Sequence, residues 1–293
     1  MSNRFSAFSR YHPVPLFLYF ISVLVITMFS YNPVYPILSL MGAASFQICT
    51  IRHGLSKSLL HGFVAIILIT AVNPLFSHNG ATPLLFINGK AITLEAIIFG
   101  AVSAMIIVSV IGWCKILNRC FGSDKFLYLF GRIIPKLSLI ISMSMKLIPD
   151  FSRKYKDMHD LQKAMSPQKN QNWIDGIKTA CAVFSALITR ALENSADTAL
   201  SMKARGYGSA RRTSFSVYRF HSRDGLLLSG VLLTAIVSAV TGACGAFSTQ
   251  YYPEFSLCPV STFSVLGCAA FALLCFIPTV IELKENIKWN YSI

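Results

Sequence analysis

Charged side chains are scarce in this sequence of 293 residues, and acidic ones are the scarcer kind. Asp, Glu, Lys and Arg make up 13% of the chain, about half of what soluble domains carry, whereas hydrophobic residues make up 54%. About 20 apolar residues in a helix cross the hydrocarbon core of a bilayer, roughly 30 Å thick. Several charge-free stretches reach or approach that length. We therefore predict an all-α, polytopic membrane protein.

The sequence also lacks the common motifs of catalysis and metal binding. No G-x-x-x-x-G-K-[ST] phosphate loop occurs, which excludes an ATPase of the P-loop kind. No C-x-x-C pair occurs among the eight cysteines, which lie mostly in apolar runs, and the six histidines are scattered singly. There is no G-x-S-x-G, no H-E-x-x-H and no pair of intramembrane carboxylates. We expect no catalytic residue, metal or cofactor in this chain and no enzymatic activity of its own.

The basic residues are concentrated in the middle of the chain. Nineteen of the 26 Lys and Arg fall between Lys115 and Arg223, and we place only Lys90 on the opposite side of the membrane. The ends of the chain carry Arg4, Arg10, Lys284 and Lys288. This asymmetry is typical of the positive-inside rule in the cell membrane, plasma or inner, and it predicts cytoplasmic termini. No nucleic-acid motif accompanies the charge, so we expect no nucleic-acid partner.

Six apolar stretches are the predicted spans. They cover residues 14–29, 36–51, 59–72, 94–116, 225–247 and 262–281. Residues 73–93 carry Asn-Gly and Thr-Pro turn signals and are predicted to form the main external loop. Glu95, just inside the fourth span, is expected to reach the membrane interface. The predicted regions are a membrane region at 1–118 with four spans, cytoplasmic helices at 119–225, and a membrane region at 226–293 with two spans.

Residues 125–149 are apolar enough to span, but Arg132, Lys136 and Lys146 interrupt them and Pro135 lies in the middle. If they crossed the membrane, the following segment 150–224, with 13 Lys and Arg, would lie outside. The positive-inside rule disfavours that reversal. We therefore predict an amphipathic helix or pair of helices at the cytoplasmic membrane interface, broken near Pro135.

A long amphipathic helix is predicted from residue 173 onward, capped by Asn172. Its apolar positions recur at steps of three and four, which predicts a helix buried along one face. They are Ile174, Ile177, Cys181, Phe184, Ile188, Ala191, Ser195, Ala199 and Met202. Gly206 can take the left-handed conformation that closes a helix, and this leaves Arg205 in the last turn. The guanidinium could bind a carboxylate of a partner, or could simply complement the helix dipole.

Five stretches of the sequence resemble one family of membrane proteins. They are residues 73–80, 92–96, 123–135, 190–193 and 202–208, and the resemblance extends from about residue 14 to residue 281, most specifically over 189–207. The family is the transmembrane (T) component of energy-coupling factor transporters, the CbiQ/EcfT family. The resemblance implies a scaffold that joins two ABC-type ATPases, which consume the ATP, to a small membrane-embedded S component. That S component captures a vitamin or a transition-metal ion.

The resemblance also implies which residues bind the partners. Ala204, Arg205 and Gly206 match the second of two X-Arg-X motifs whose arginines enter grooves on the ATPases. The first motif falls at Ala164, Met165 and Ser166, where Met165 stands in the place of the expected arginine.

The S component would slide on the apolar side chains of the preceding segment. These are Phe126, Phe130, Ile133, Ile140 and Met143. The same residues, taken without the resemblance, are also compatible with simple anchoring at the membrane interface.

Two other functions are compatible with part of the sequence. A permease subunit of a conventional ABC importer usually presents one short coupling helix, whereas this cytoplasmic block is far longer. A membrane-embedded enzyme would need polar catalytic groups near the end of a span. The substrate, in this family, is determined by the S component.

Overall fold

The computed structural model describes residues 7–50, 55–77, 80, 82–87, 90–131, 134–165, 173–209, 218–246, 249–252 and 262–291. A 3₁₀ helix at Ala7–Arg10 precedes α1 (Pro13–Phe29), α2 (Val34–Thr50), α3 (Leu55–Phe76), β1 (Pro83–Ile87), β2 (Lys90–Thr93) and α4 (Leu94–Cys120). Then follow α5 (Ser123–Gly131), α6 (Pro135–Met165), α7 (Trp173–Ala204), α8 (Ser222–Thr241) and α9 (Thr262–Tyr291). The chain divides into a first unit, Met1–Phe126 with Tyr218–Ile293, and a second unit, Leu127–Val217.

Four helices of the first unit are long and apolar enough to cross a membrane. They are α3, α4, α8 with its π-helical extension Gly242–Ala246, and α9. The prediction of an all-α, multi-pass membrane fold is therefore confirmed at this level. α1 and α2 are apolar but have 17 residues each, which is about 25 Å of helix at about 1.5 Å per residue.

The core of the first unit is built around α1, which packs against α2, α4 and α8. α9 packs against α2 and α8, while α3 lies outside this group and packs mainly on α4. The most buried large side chains are aromatic, namely Phe8, Tyr19, Phe20, Tyr35, Phe46, Trp113 and Phe271. The Tyr19 and Trp113 ring centroids are 5.9 Å apart in an edge-on arrangement, a favourable geometry for aromatic pairs.

A chain of buried polar groups links three helices inside this apolar core. The indole Nε1 of Trp113 in α4 donates to Ser39 Oγ in α2 at 2.9 Å. Ser39 Oγ lies 3.1 Å from Thr27 Oγ1 in α1, which itself donates to Val23 O at 2.7 Å. Because lipid offers no hydrogen-bonding groups, such side chains within a membrane bundle find partners across helices. The network fixes how α1, α2 and α4 are aligned.

The external loop expected at residues 73–93 contains a β-hairpin that the sequence analysis did not predict. β1 and β2 pair antiparallel, and they are the only strands of a sheet in the described part of the chain. The side chain of Glu95, expected to reach the membrane interface, is 3% exposed and is turned toward the start of the hairpin. Glu95 accepts hydrogen bonds from Thr82 Oγ1 at 2.8 Å and from Thr82 N at 3.3 Å. It thereby fixes the hairpin to the N-terminal turn of α4, where the helix dipole favours a carboxylate.

Gly42 permits the closest approach of α2 to α9. A Cβ at this position would lie 2.7 Å from Cys275 Cβ and 3.1 Å from Cys275 O. We expect Gly42→Ala to lower the free energy of unfolding by about 1–3 kcal/mol, since one helix must move away from the other. The measurement is the thermal stability of the detergent-purified chain, monitored by size-exclusion chromatography after heating.

Gly230→Ala in α8 is the matched control, because a Cβ there meets nothing within 4 Å. It should be neutral or slightly stabilising, since alanine favours helix over glycine by about 0.5–1 kcal/mol. Equal stability of the two variants would contradict the close packing of α2 on α9.

Candidate functional site

The second unit consists mainly of two long helices that pack against each other, α6 and α7. At about 1.5 Å per residue, their 31 and 32 residues correspond to roughly 46 and 48 Å. Pro135 is the first residue of α6, a position where the missing N–H of proline has no cost. The predicted pair of helices with a break near Pro135 is therefore confirmed, and α6 continues through Pro149. Their position at a membrane interface stays a prediction.

The end of α7 is closed by a Schellman motif centred on Gly206. Gly206 has φ of 76°, the left-handed conformation predicted for it. The Gly206 N–H donates to Lys203 O at 3.0 Å, and the Tyr207 N–H donates to Met202 O at 3.0 Å. These are the two bonds that define the motif. The chain therefore turns sharply directly after Arg205.

Arg205 is exposed at this turn, directly after the last helical residue, Ala204. Its own N–H donates to Ser201 O at 3.1 Å, so the carbonyls of Ser201, Met202 and Lys203 all accept backbone N–H groups. The Arg205 guanidinium is thus not needed to cap these carbonyls. No salt bridge involves Arg205 within the described part of the chain. The geometry leaves its planar donor fork available to an external carboxylate.

The first motif position lies at the C-terminal end of α6, in the same unit. Met165 is the last residue of α6 and is 76% exposed, and Ala164 before it is also exposed. Ser166 lies outside the described residues. Both predicted docking positions therefore fall at the C-terminal end of a long helix.

The structure buries the predicted face of α7 only in small part, since Ala191 and Met202 are the only members of the predicted stripe that are partly buried. Val183 is 3% exposed, and Thr179, Leu187 and Ala191 around it are partly buried, whereas Phe184 in the predicted stripe is 64% exposed. The buried row is displaced by one residue, or about 100° around the helix. Also exposed in the predicted stripe are Ile174, Ile177 and Ile188. α6 covers only one row of α7, so the apolar stripe stays open for another contact.

The residues expected to contact an S component fall in both units. Phe126 is an exposed residue of α5 and belongs to the first unit, as the last residue of its N-terminal part, Met1–Phe126. In the second unit Ile140 is exposed, while Phe130 and Met143 are half-buried. Ile133 lies outside the described residues. The exposed members present apolar side chains to the surroundings, as the sequence analysis predicted.

Buried charges that the sequence analysis missed lie where the chain leaves and re-enters the first unit. At the exit, Lys125 is 8% exposed, and its Nζ donates to Cys120 O at 2.8 Å and to Ser9 O. At the return, Asp224 is 5% exposed and accepts from His12 N at 3.0 Å and from His221 N at 2.9 Å. Lys125 at the exit and Asp224 at the return therefore both bind the segment just before α1.

A third buried charge completes this anchor of the N-terminal segment. Glu282 of α9 accepts a hydrogen bond from Phe8 N at 3.4 Å. The ring of His12 packs edge-on against Phe220, with centroids 5.3 Å apart. Burial lowers the pKa of His12, an effect that Asp224 opposes, and burial also lowers the pKa of Lys125. A signal in the sequence did exist, since Lys125 and Asp224 each stand next to an apolar run.

Comparison with protein-family models finds no match to this chain, and comparison with curated proteins finds none either. Among the described residues, no group of three or more His, Cys, Asp or Glu side chains is placed to hold a metal ion. A functional assignment therefore depends on the residues and their geometry.

The left-handed turn at Gly206 gives a direct test of how α7 ends. Gly206→Ala should destabilise the turn by about 1–2 kcal/mol, because a Cβ is unfavourable at positive φ. The amide of Tyr207, which is protected by Met202 O, should then exchange with solvent roughly tenfold faster, the equivalent of about 1.4 kcal/mol. Hydrogen–deuterium exchange with mass spectrometry over residues 200–208 measures this.

Gly176→Ala makes the same substitution within the same helix. A Cβ at Gly176 meets nothing within 4 Å, so exchange at residues 200–208 should stay as in the parent. Unchanged exchange in Gly206→Ala would show that α7 does not end in the Schellman motif.

Proposed function

We propose that this chain is the membrane scaffold and energy-coupling subunit of an energy-coupling factor importer. In this role it links two ABC-type ATPase subunits or domains to a small S component for the uptake of a vitamin or a metal ion. The observation that carries the proposal is the end of α7, where Arg205 is exposed on a rigid, fully hydrogen-bonded turn. The resemblance over residues 189–207 assigns ATPase docking to this position.

The geometry at Arg205 suits docking to an acidic groove of a partner. The guanidinium lies beyond the helix end, and the hydrogen bonds of the turn beneath it already order the backbone, so that binding has to immobilise only the side chain. An arginine in such a place can form two parallel hydrogen bonds to one carboxylate. Met165, exposed at the end of α6, would provide an apolar contact at the second ATPase instead of a charged one.

The exposed apolar stripe of α7 supports a further contact of the second unit. Soluble proteins rarely leave side chains such as Ile174, Phe184 and Ile188 exposed along one helix face. In the proposed assembly this face contacts a partner or the membrane interface. Phe126 and Ile140 would belong to the surface on which the S component moves.

The buried anchors provide a route from docking to the membrane helices. A displacement of the second unit pulls on the chain at Lys125 and at Asp224, and both are bound to the segment that begins α1. Because α1 packs against α2, α4 and α8, such a displacement would act on three other helices of the first unit. The chain itself would bind no ATP and catalyse no reaction.

We place the chain in the cell membrane with six spans and both termini in the cytoplasm. α1 and α2 would be the two additional spans, because they pack among α4, α8 and α9, which are long enough to cross. The clustering of basic residues supports the cytoplasmic placement of the second unit. A conventional ABC permease is the weaker alternative, since two helices of more than 45 Å exceed the usual short coupling helix.

Cysteine labelling tests this topology. On a cysteine-free background, Asp157→Cys in α6 should react with a membrane-permeant maleimide only, while Leu84→Cys in β1 should also react with an impermeant reagent applied outside whole cells. Both side chains are exposed, so accessibility within the fold is not limiting. Labelling of Asp157→Cys by the impermeant reagent would contradict the cytoplasmic placement of the second unit.

Substitution of Arg205 tests docking. If an acidic groove holds the guanidinium, Arg205→Ala leaves a carboxylate of the partner unpaired, at a cost of about 3–5 kcal/mol when the pair is fully buried. The affinity for the ATPases should then fall by more than about a hundredfold, and copurification of the ATPases with each variant measures this. Arg205→Lys keeps the charge but not the fork and should recover only part of the binding. Met165→Ala should have little effect, whereas Met165→Arg should strengthen docking.

Arg153→Ala is the control for the loss of an exposed arginine from the same unit. It should bind the ATPases like the parent, and the amount of chain inserted in the membrane should be equal in all variants. The docking proposal fails if Arg205→Ala retains its ATPases as firmly as Arg153→Ala does.

A further inference from the structure

A crevice opens in the first unit between α2 and α3, with α4 as its floor. α2 and α3 pack against α4 but scarcely against each other, and the space between them measures about 480 Å³. Most of its lining is apolar, including Leu40, Phe63, Ile66, Val108 and Ile111. Since α3 and α4 are long enough to cross a membrane, the apolar walls of this crevice face the hydrocarbon region.

Small residues hold α2 and α3 close to the floor and keep the space above it empty. A Cβ on Gly62 would lie 3.3 Å from Val108 Cγ1, and a Cβ on Gly112 would lie 3.4 Å from Ala43 Cβ. Higher on the two walls, Ala44 and Ala65 also line the crevice. Larger side chains at these two alanines would fill it, so its volume depends on their small size.

One end of the crevice is basic. Lys115 and His61 line this end, and a smaller cavity of about 20 Å³ shares Lys115 and Gln47 with the crevice and adds Arg119 and Thr50. Among the described residues, no acidic side chain lines either cavity. The Thr50 hydroxyl is buried in the smaller cavity without a hydrogen-bond partner among the described residues. Two cations and an unused hydroxyl therefore face the same small space.

We propose that this crevice is a binding site for an anionic phospholipid. One acyl chain lies along the apolar walls between α2 and α3, and the phosphate interacts with Lys115 and Arg119. Charge complementarity favours an anionic phospholipid as the occupant, because basic pockets between membrane helices attract anionic headgroups. A helix of another membrane protein would instead have to cover two cations with apolar surface, which is costly. The proposal goes beyond the coupling function and does not depend on it.

Native mass spectrometry of the full-length chain in mild detergent tests the site, with phosphatidylglycerol and phosphatidylcholine as probes. The parent should retain one phosphatidylglycerol in preference to phosphatidylcholine. Lys115→Gln and Arg119→Gln should each weaken phosphatidylglycerol binding about fivefold, the equivalent of about 1 kcal/mol per basic residue. The double variant should weaken it about thirtyfold. Ala65→Phe should abolish retention of both lipids by filling the crevice.

Two matched variants control for general effects. Lys284→Gln removes an exposed cation from α9, and Ala239→Phe adds the same aromatic ring to an exposed position on α8. Both should retain the lipid as the parent does, and the elution volume and thermal stability of every variant show whether it folds. Equal retention of the two lipids by the parent, or unchanged phosphatidylglycerol binding in both single charge variants, overturns the proposal. The proposal is also overturned if Ala65→Phe loses a copurifying membrane protein rather than lipid.

Discussion

Three buried charged side chains bind the backbone just before α1, and the packing of this segment within the first unit depends on them. Lys125 and Asp224 stand at the two points where the chain leaves and re-enters the first unit, and Glu282 of α9 accepts a further hydrogen bond from the same segment. A hydrogen bond to a charged group contributes roughly 1.5–3 kcal/mol, more than a neutral one. These contacts join the segment before α1 to α5, α8 and α9.

The two units differ in how their apolar surface is buried. In the first unit one face of α1 packs against α2, α4 and α8, and the buried Thr27 hydroxyl on this face lies 3.1 Å from Ser39 Oγ. In the second unit one row of α7 packs on α6, while the stripe that contains Phe184 stays exposed. The exposed stripe is the apolar surface that the proposed assembly would cover.

Much of the fold could be predicted from the sequence, because membrane helices follow from hydropathy and helix ends from single residues. Gly206 closes α7 and Pro135 opens α6 as their chemistry requires. Most of the predicted buried row of α7 is exposed, and only Ala191 and Met202 are partly buried, since periodicity identifies an apolar stripe but cannot tell whether a partner lies within the chain. Lys125 and Asp224 stand next to apolar runs, but their partners Ser9 and His12 are far away in sequence, and no local pattern reveals such pairs. The same holds for Glu95, whose partner is Thr82 in the preceding hairpin segment.

Photo-crosslinking beside Arg205 tests most directly whether the second unit docks on an ATPase. Tyr207 follows the turn and is partly exposed, so benzoylphenylalanine can replace it with little change in size. The account predicts that, in native membranes, this probe forms an adduct with a soluble protein that a photoreactive ATP analogue also labels. The same probe at Phe76, exposed at the end of α3, should form no such adduct. Absence of an ATP-binding adduct at position 207, or equal adducts at both positions, would contradict the account.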